Sequence, residues 1–315
     1  MSLVEVSGLR KIYGGAPVVN DLSFHVERGE IFGLLGPNGA GKTTAMMILA
    51  GLRDADGGSV RIGDQAAAGA PLRRNRLLGL VPQELAIYPD LTGRENLSFF
   101  GAIYGLRGAR LRERVACLLD ETGLGDHADH YVRTFSGGMK RRLNVGAGLL
   151  HEPQLVILDE PTVGVDPQSR SHLLEAVQRL AAGGVAVIFA THYMDEAQAI
   201  CHRVGIIDRG RMLRCGPPEE LLDTLRSNVR LHVRLAARPG RQQLEDIADV
   251  EALEGNDVRL VVRRAPNEAA AAVMRRLATV FQQLSEAGAD LVSIETSEHN
   301  LEDLFLELTG RNLRD

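Results

Sequence analysis

Gly36-Pro37-Asn38-Gly39-Ala40-Gly41-Lys42-Thr43 has the spacing G-x-x-x-x-G-K-[ST]. Those residue types can hold a polyphosphate: the glycines let backbone N–H groups wrap the anion, the ammonium of Lys42 reaches its outer oxygens, and the hydroxyl of Thr43 can ligate Mg2+. Downstream, Leu155-Val156-Ile157-Leu158-Asp159-Glu160 ends an apolar run in two carboxylates, and a site loaded with phosphate and Mg2+ has a separate use for each. Asp159 suits the metal shell, through a water. Glu160 is placed to polarise the attacking water, a role that needs an acceptor near the metal but not bound to it. Alone, such a pair would read as acidic residues ending a strand at the surface; beside a phosphate loop it reads as chemistry. Ser136-Gly137-Gly138 precedes an Arg/Lys-bearing helical pattern, where backbone donors at a helix start can hold an anion. By itself it would be a flexible turn. Because Gly36–Thr43 already wraps one phosphate chain, a second anion cradle implies a second subunit.

These residues need elements to aim them. Ile31–Leu35 reads as a buried strand and Thr43–Leu52 carries apolar residues at helical spacing, giving the strand, loop, helix order that a phosphate loop requires. Before it, Leu3–Val26 alternates around a Gly14-Gly15 break, an antiparallel β-region. From about 91 to 150 the periodicity predicts a helix-rich insert, with helices around Glu95–Tyr104, Leu111–Thr122 and Gly138–Leu150. Leu155–Leu158 and Val185–Ala190 are solid aliphatic runs flanking a helical stretch, Ser169–Ala182, as expected of buried parallel strands with a crossover. Gly216-Pro217-Pro218 then breaks the pattern, and a boundary near Asp223–Asn228 is expected. Beyond it the order reads strand (Val229–Leu235), helix, strand (Val258–Val262), helix (Glu268–Ala287), strand (Leu291–Glu295) and helix (Asn300–Leu308). That predicts a small α+β, ferredoxin-like domain. The expected fold is therefore α/β with a parallel core sheet, an N-terminal antiparallel β subdomain and a helical subdomain over 1–224, then the small domain over 225–315.

Composition narrows the function classes. A chain of 315 residues, 44% apolar and 24% charged, is long enough for a large and a small domain and too apolar for disorder. Its net charge of −5 supplies no basic excess for coating a nucleic acid, so none is expected as a partner. Cys117, Cys201 and Cys215 are scattered without C-x-x-C spacing, which fits a reduced cytosolic compartment. The first residues lack the apolar stretch of a signal peptide, and no apolar run approaches a membrane span. Lys11, Lys42 and Lys140 are the only lysines in an arginine-dominated chain.

Phosphate loops and acidic strand ends are shared by kinases, GTPases and helicases, and Ser136–Gly138 discriminates among them. With it, the sequence resembles the ATP-binding-cassette family, whose order is P-loop, Q-loop glutamine, L-S-G-G-Q, acidic strand, D-loop and switch histidine. All have counterparts here in that order. The resemblance implies ATP and Mg2+ as ligands, with nucleotide contacts from Gly36, Asn38, Gly39, Ala40, Gly41, Lys42, Thr43 and Thr44. It implies that Tyr13 stacks on adenine, that Gln83 touches Mg2+ beside Thr43 and Asp159 and reports to a transmembrane partner, and that Asp166 in Val163-Gly164-Val165-Asp166 lies in the D-loop at the dimer interface. It implies that His192 contacts the γ-phosphate as the switch residue, sharing the catalytic role with Glu160. Read alone, Tyr13 would be a half-buried strand aromatic and His192 a structural histidine. The signature departs from the commonest pattern as Phe135-Ser136-Gly137-Gly138-Met139, yet keeps the serine hydroxyl and glycine backbone expected to meet phosphate.

Within the family, Gln83–Thr92, Phe135–Leu143, Thr191–Ala197 and the ending Asn300–Gly310 look like the daunorubicin-resistance type of multidrug export ATPase. That implies a dimer of two copies, or of one copy and a close relative, with Ser136, Gly137 and Gly138 of one subunit facing the P-loop of the other. It also implies an integral-membrane permease, docked by analogy at Leu97–Tyr104 with Gln83, and a location on the cytoplasmic face of the cell membrane. The alternative is a soluble cassette ATPase of translation, repair or assembly; the tandem cassettes or long coiled coils of such proteins are not seen here. A P-loop kinase would leave Ser136–Gly138 and His192 without roles.

Overall fold

A computed structural model describes residues 2–66, 77–223, 225, 228–237, 240, 244, 249–254, 257–263, 270–297 and 300–310. By internal contacts the chain divides into one unit of 1–218 with 308–315 and a second of 219–307.

The first unit opens with β1 (Ser2–Tyr13) and β2 (Ala16–Glu27), paired antiparallel. The turn between them, Gly14-Gly15, has φ of 55° and 83°; left-handed backbone at both positions is what a tight hairpin with the right twist demands and what glycine supplies without strain. With β4 (Gly57–Ile62) and β5 (Gln65–Ala66) they make a sheet ordered β2-β1-β4-β5. The core sheet is β10-β9-β3-β8-β7-β6, built from β3 (Ile31–Leu35), β6 (Leu78–Val81), β7 (Leu155–Asp159), β8 (Ala186–Thr191), β9 (Arg203–Asp208) and β10 (Arg211–Gly216). Five of its strands run parallel and β10 closes one edge antiparallel. In β3, β7 and β8 every residue is buried, which is why their sequences run apolar without alternation. Phe24 of β2 stacks on Phe32 of β3 at 5.0 Å within the main core.

Helix α1 (Lys42–Leu49) stops before the expected Leu52. Gly51 takes φ 72°, its N–H bonds the Ile48 carbonyl and that of Leu52 bonds the Met47 carbonyl, a left-handed stop that glycine permits. The insert holds α2 (Gly93–Ile103), α3 (Gly108–Glu121) and α4 (Gly137–Leu149), as the periodicity predicts. Thr92 and Glu95 cap α2 reciprocally. The crossover helix α5 (Pro167–Ala182) and the short α6 (Met194–Ile200) complete the positioning frame.

Strand β6 meets α4 through two glycines. A Cβ on Gly79 would lie 2.2 Å from the Gly148 carbonyl oxygen, and one on Gly148 would lie 2.8 Å from Val81 Cγ2. Gly79→Ala is expected to destabilise by about 1–3 kcal/mol, the usual range for overpacking, and the Tm to fall by about 2–4 °C per kcal/mol in a thermal melt.

The second unit contains α7 (Pro218–Asp223) from Glu219 on, and a four-stranded sheet ordered β12-β13-β11-β14. Its strands are β11 (Asn228–Ala237), β12 (Asp249–Glu254), β13 (Asp257–Arg263) and β14 (Asp290–Ser297), all antiparallel, and α8 (Ala270–Glu286) links β13 to β14. This is the sheet order of the expected ferredoxin-like fold. The sequence reading lacked β12: Asp-Val-Glu-Ala-Leu-Glu is rich in helix formers, and pairing to β13 overrides that propensity. Helix α9 (Leu301–Thr309) starts at Asn300, whose side chain accepts from the Asp303 N–H at 2.9 Å while Asp303 accepts from the Asn300 N–H at 3.0 Å. Among the described residues no helix is long and apolar enough to cross a membrane.

Candidate functional site

The loop between β3 and α1 owes its shape to missing side chains. Gly41, the residue before α1, has φ 102°, and a Cβ on it would lie 2.5 Å from the Val18 carbonyl oxygen; one on Gly36 would lie 2.3 Å from that of Ile207. The backbone N–H groups at the start of α1 therefore open toward the loop with no side-chain cap, as an anion site requires. Lys42 is buried, its Nζ donating to the Gly36 carbonyl at 2.6 Å and the Pro37 carbonyl at 3.2 Å and lying 3.6 Å from Glu160 Oε1. Burial pushes its ammonium below the ordinary lysine value, against the pull of Glu160 and Asp159.

Both carboxylates stand where β7 ends. Asp159 shares a hydrogen bond with the Thr43 side chain, and burial pushes its carboxyl above the usual carboxylate range. Its Oδ1 is buried without a hydrogen-bond partner among the described residues. Glu160 turns sharply, with φ 46°, and its N–H bonds the Ala190 carbonyl at 2.9 Å, so β8 holds the strained residue in place. Three groups converge on its carboxylate: Gln83 Nε2 donates to Oε2 at 3.3 Å, His192 Nδ1 lies 3.2 Å from Oε1, and Lys42 approaches the same oxygen. The His192 contact lacks hydrogen-bond alignment, so it is a close approach rather than a bond.

One chain thus brings Lys42, Thr43, Gln83, Asp159, Glu160 and His192 together. Ser136, Gly137 and Gly138 lie elsewhere. Ser136 caps α4 by accepting from the Met139 N–H at 3.2 Å. A Cβ on Gly137 would sit 3.4 Å from the Gly164 carbonyl, and one on Gly138 would sit 2.4 Å from Ser169 Oγ and 3.3 Å from Asp166 Oδ2. The signature therefore packs on the loop containing Asp166, which itself caps α5 through the Ser169 N–H at 2.9 Å. Gly138→Ala is expected to lower ATP turnover about tenfold by displacing this loop, with Ser169→Gly in the same chain recovering much of the loss. Tyr13 stands exposed at the end of β1, with Lys11 Nζ 5.4 Å from its ring centre. Lys11 is held by Asp56 at 2.9 Å, and Asp56 also accepts from the Ile12 N–H at 2.6 Å.

The motif reading missed Arg141 and Asn144. Arg141 is buried on α4 and its NH1 donates to the carbonyls of Pro82 (3.2 Å) and Gln83 (2.8 Å). Asn144 donates to Pro82 O at 3.4 Å and accepts from the Ala86 N–H at 3.1 Å. Together they fix the loop that carries Gln83, and Arg141 feels the charges of both Asp159 and Glu160. The available signal was Arg141 three residues after Gly138 and four before Val145, a cation in the helix row that faces the core.

Comparison with known proteins agrees with this geometry. The ABC transporter family model matches residues 19–163. The linearmycin resistance ATP-binding protein LnrL of Bacillus subtilis is 40% identical over 316 residues, covering 99% of this chain and 100% of that protein. The daunorubicin/doxorubicin resistance ATP-binding protein DrrA of Streptomyces peucetius is 37% identical, covering 98% of this chain and 92% of that protein. A solved ATP-binding subunit of an ABC transporter superposes with a TM-score of 0.65 at 32% identity, over 71% of this chain and 93% of its own. With a P-loop, paired carboxylates and near-complete alignment to ATP-binding subunits, the chain belongs to the ATP-binding-cassette family and is one of its ATP-hydrolysing subunits.

Proposed function

We propose that this subunit hydrolyses Mg-ATP at a head-to-tail dimer interface and couples that cycle to export through a separate membrane permease. The names of the relatives, linearmycin resistance and daunorubicin/doxorubicin resistance ATP-binding proteins, support an export role. The observation that carries the dimer is the placement of Ser136–Gly138 against Gly164 and Asp166, while Lys42, Gln83, Glu160 and His192 gather at the P-loop. A second copy or a close relative would bring its signature to that P-loop. In this reading residues 1–224 form the ATPase domain and 225–315 an accessory domain, and the protein lies on the cytoplasmic face of the membrane.

The donors fit Mg2+: a threonine hydroxyl, a glutamine amide and a buried carboxylate with a free oxygen are the hard oxygen ligands this ion takes alongside phosphate. When bound, the ion would offset charge on the phosphate oxygens. Gly36, Asn38, Gly39, Ala40, Gly41 and Thr44 shape the phosphate cradle, Lys42 supplies its positive charge, and Tyr13 offers an aromatic platform for adenine. Thr43 and Gln83, with Asp159 through a water, would hold Mg2+. Glu160 accepts the proton of the attacking water on its carboxylate, Gln83 fixes that carboxylate's direction through its amide N–H, and His192 contacts the γ-phosphate.

For the permease, α2 presents Phe99 and Ile103, 42% and 64% exposed, beside Tyr88, whose ring meets Phe99 edge-on at 5.0 Å. Leu97, expected as part of that docking face, is fully buried and belongs to the core of the insert. The test is purification of the tagged chain from detergent-solubilised membranes. A polytopic membrane protein recovered in equal amount with the wild type, and lost with Phe99→Glu/Ile103→Glu, supports the reading. Recovery without one, ATPase activity intact, sinks the permease half of it.

A further inference from the structure

Beside the phosphate site lies a second buried polar cluster. Glu196 on α6 is buried, and its Oε2 accepts from the Thr162 hydroxyl at 2.7 Å, with Thr162 itself fully buried. The other oxygen, Oε1, faces Arg170 Nε at 3.4 Å, and neither of these two buried atoms has a hydrogen-bond partner among the described residues. The Arg170 guanidinium lies 5.3 Å from the Tyr193 ring centre, and Tyr193 stacks at a tilt on His192 at 4.1 Å. The Tyr193 N–H is held in turn by the Thr191 hydroxyl at 2.9 Å.

The chain positions of these residues give the cluster its meaning. Thr162 stands between Glu160 and the loop of Gly164–Asp166. Arg170 sits in the first turn of α5, its N–H bonded to the Asp166 carbonyl at 2.9 Å. Glu196 and Tyr193 flank the start of α6, immediately after His192. A carboxylate therefore joins the loop of the switch histidine to the helix that Asp166 caps. A buried carboxylate is costly unless it is paired, and this one is anchored on one oxygen and incompletely paired on the other. A small rotation of Arg170 would turn the 3.4 Å approach into a hydrogen bond, so the contact can tighten or loosen with movement of either loop.

We propose that Glu196, through Thr162 and Arg170, is a positioning residue that couples the switch-histidine loop to the Asp166 loop, and thereby couples the two nucleotide sites of the dimer. The proposal rests on the head-to-tail reading above, in which Asp166 lies at the interface. Glu196 itself acts on neither nucleotide nor water.

The test uses the purified full-length chain with Mg2+, comparing wild type, Glu196→Gln, Arg170→Met and Arg170→Lys. Glu196→Gln keeps an acceptor for Thr162 and removes the charge facing Arg170; Arg170→Met, at a partly exposed position, guards against a folding defect in the first variant. Turnover against ATP concentration is measured together with binding of a fluorescent ATP analogue and the thermal midpoint. Glu196→Gln and Arg170→Met are expected to lose about tenfold in kcat with analogue affinity within about twofold. Their Hill coefficient falls toward about 1, the value for independent sites. Arg170→Lys is expected to restore most of the cooperativity. A loss of turnover that follows only a lowered thermal midpoint, with the Hill coefficient unchanged, overturns the proposal, as does wild-type turnover in both variants. A wild type without sigmoidal dependence on ATP overturns the two-site reading and this proposal with it.

Discussion

Glu160→Gln is expected to lower ATP turnover about 10²–10⁴-fold, the range that a positioned general base supplies, while leaving nucleotide affinity nearly unchanged. The geometry separates the two effects. Glutamine has the volume of glutamate and can still accept from Gln83 Nε2, so the contact at 3.3 Å survives in kind. What it loses is the capacity to take a proton and the charge that Lys42 and His192 approach at 3.6 and 3.2 Å. Phosphate binding through the P-loop backbone needs neither. Single-turnover hydrolysis and equilibrium ATP binding, measured on the same preparation, give the two numbers. If ATP is bound and cleaved at the wild-type rate, Glu160 is not the base.

Arg141→Met should slow turnover about 10–100-fold and destabilise the fold by about 1.5–3 kcal/mol, because it removes charged donors from two carbonyls and unlocks a catalytic loop. The loop is that of Gln83: Arg141 holds the Pro82 and Gln83 carbonyls, and without it the segment keeps its hydrogen bonds to Asn144 of α4. The substitution also withdraws a positive charge from the surroundings of Asp159 and Glu160, leaving Lys42, among the described residues, as the buried cation beside them. Arg141→Lys is expected to repair little, since an ammonium does not reproduce the fork of a guanidinium. The decisive comparison is KM against kcat. A variant with wild-type kcat and a lowered thermal midpoint would reduce Arg141 to a packing residue.

How far the sequence could be read depended on whether a feature is local. The P-loop is legible because strand, glycines, lysine and helix follow one another within a short stretch, and each of its constraints is a matter of neighbouring residues. The parallel strands declare themselves by unbroken burial, as in β7 and β8. The convergence of Gln83 and His192 on Glu160 is not local: it exists because β6, β7 and β8 are adjacent in the sheet. No spacing encodes that; the order of motifs in the family stood in for it. Arg141 shows the opposite limit. It was visible as a cation on a core-facing row, but what it holds lies 58 positions away. Strand β12 is hidden because Glu, Ala and Leu favour helices when read alone, and the docking stretch Leu97–Tyr104, carried over by analogy, does not separate the buried Leu97 from the exposed Phe99.

The glycine-to-glycine meeting of β6 and α4 carries a mechanical consequence. Side chains normally mesh as ridges in grooves, and meshed surfaces resist sliding. At Gly79 the strand backbone lies directly against the Gly148 carbonyl, and at Gly148 the Val81 side chain takes the space a methyl group would need. A methyl group added at either glycine would press β6 and α4 apart, and Arg141 and Asn144, bonded to the segment just beyond β6, would carry that displacement to the Gln83 loop.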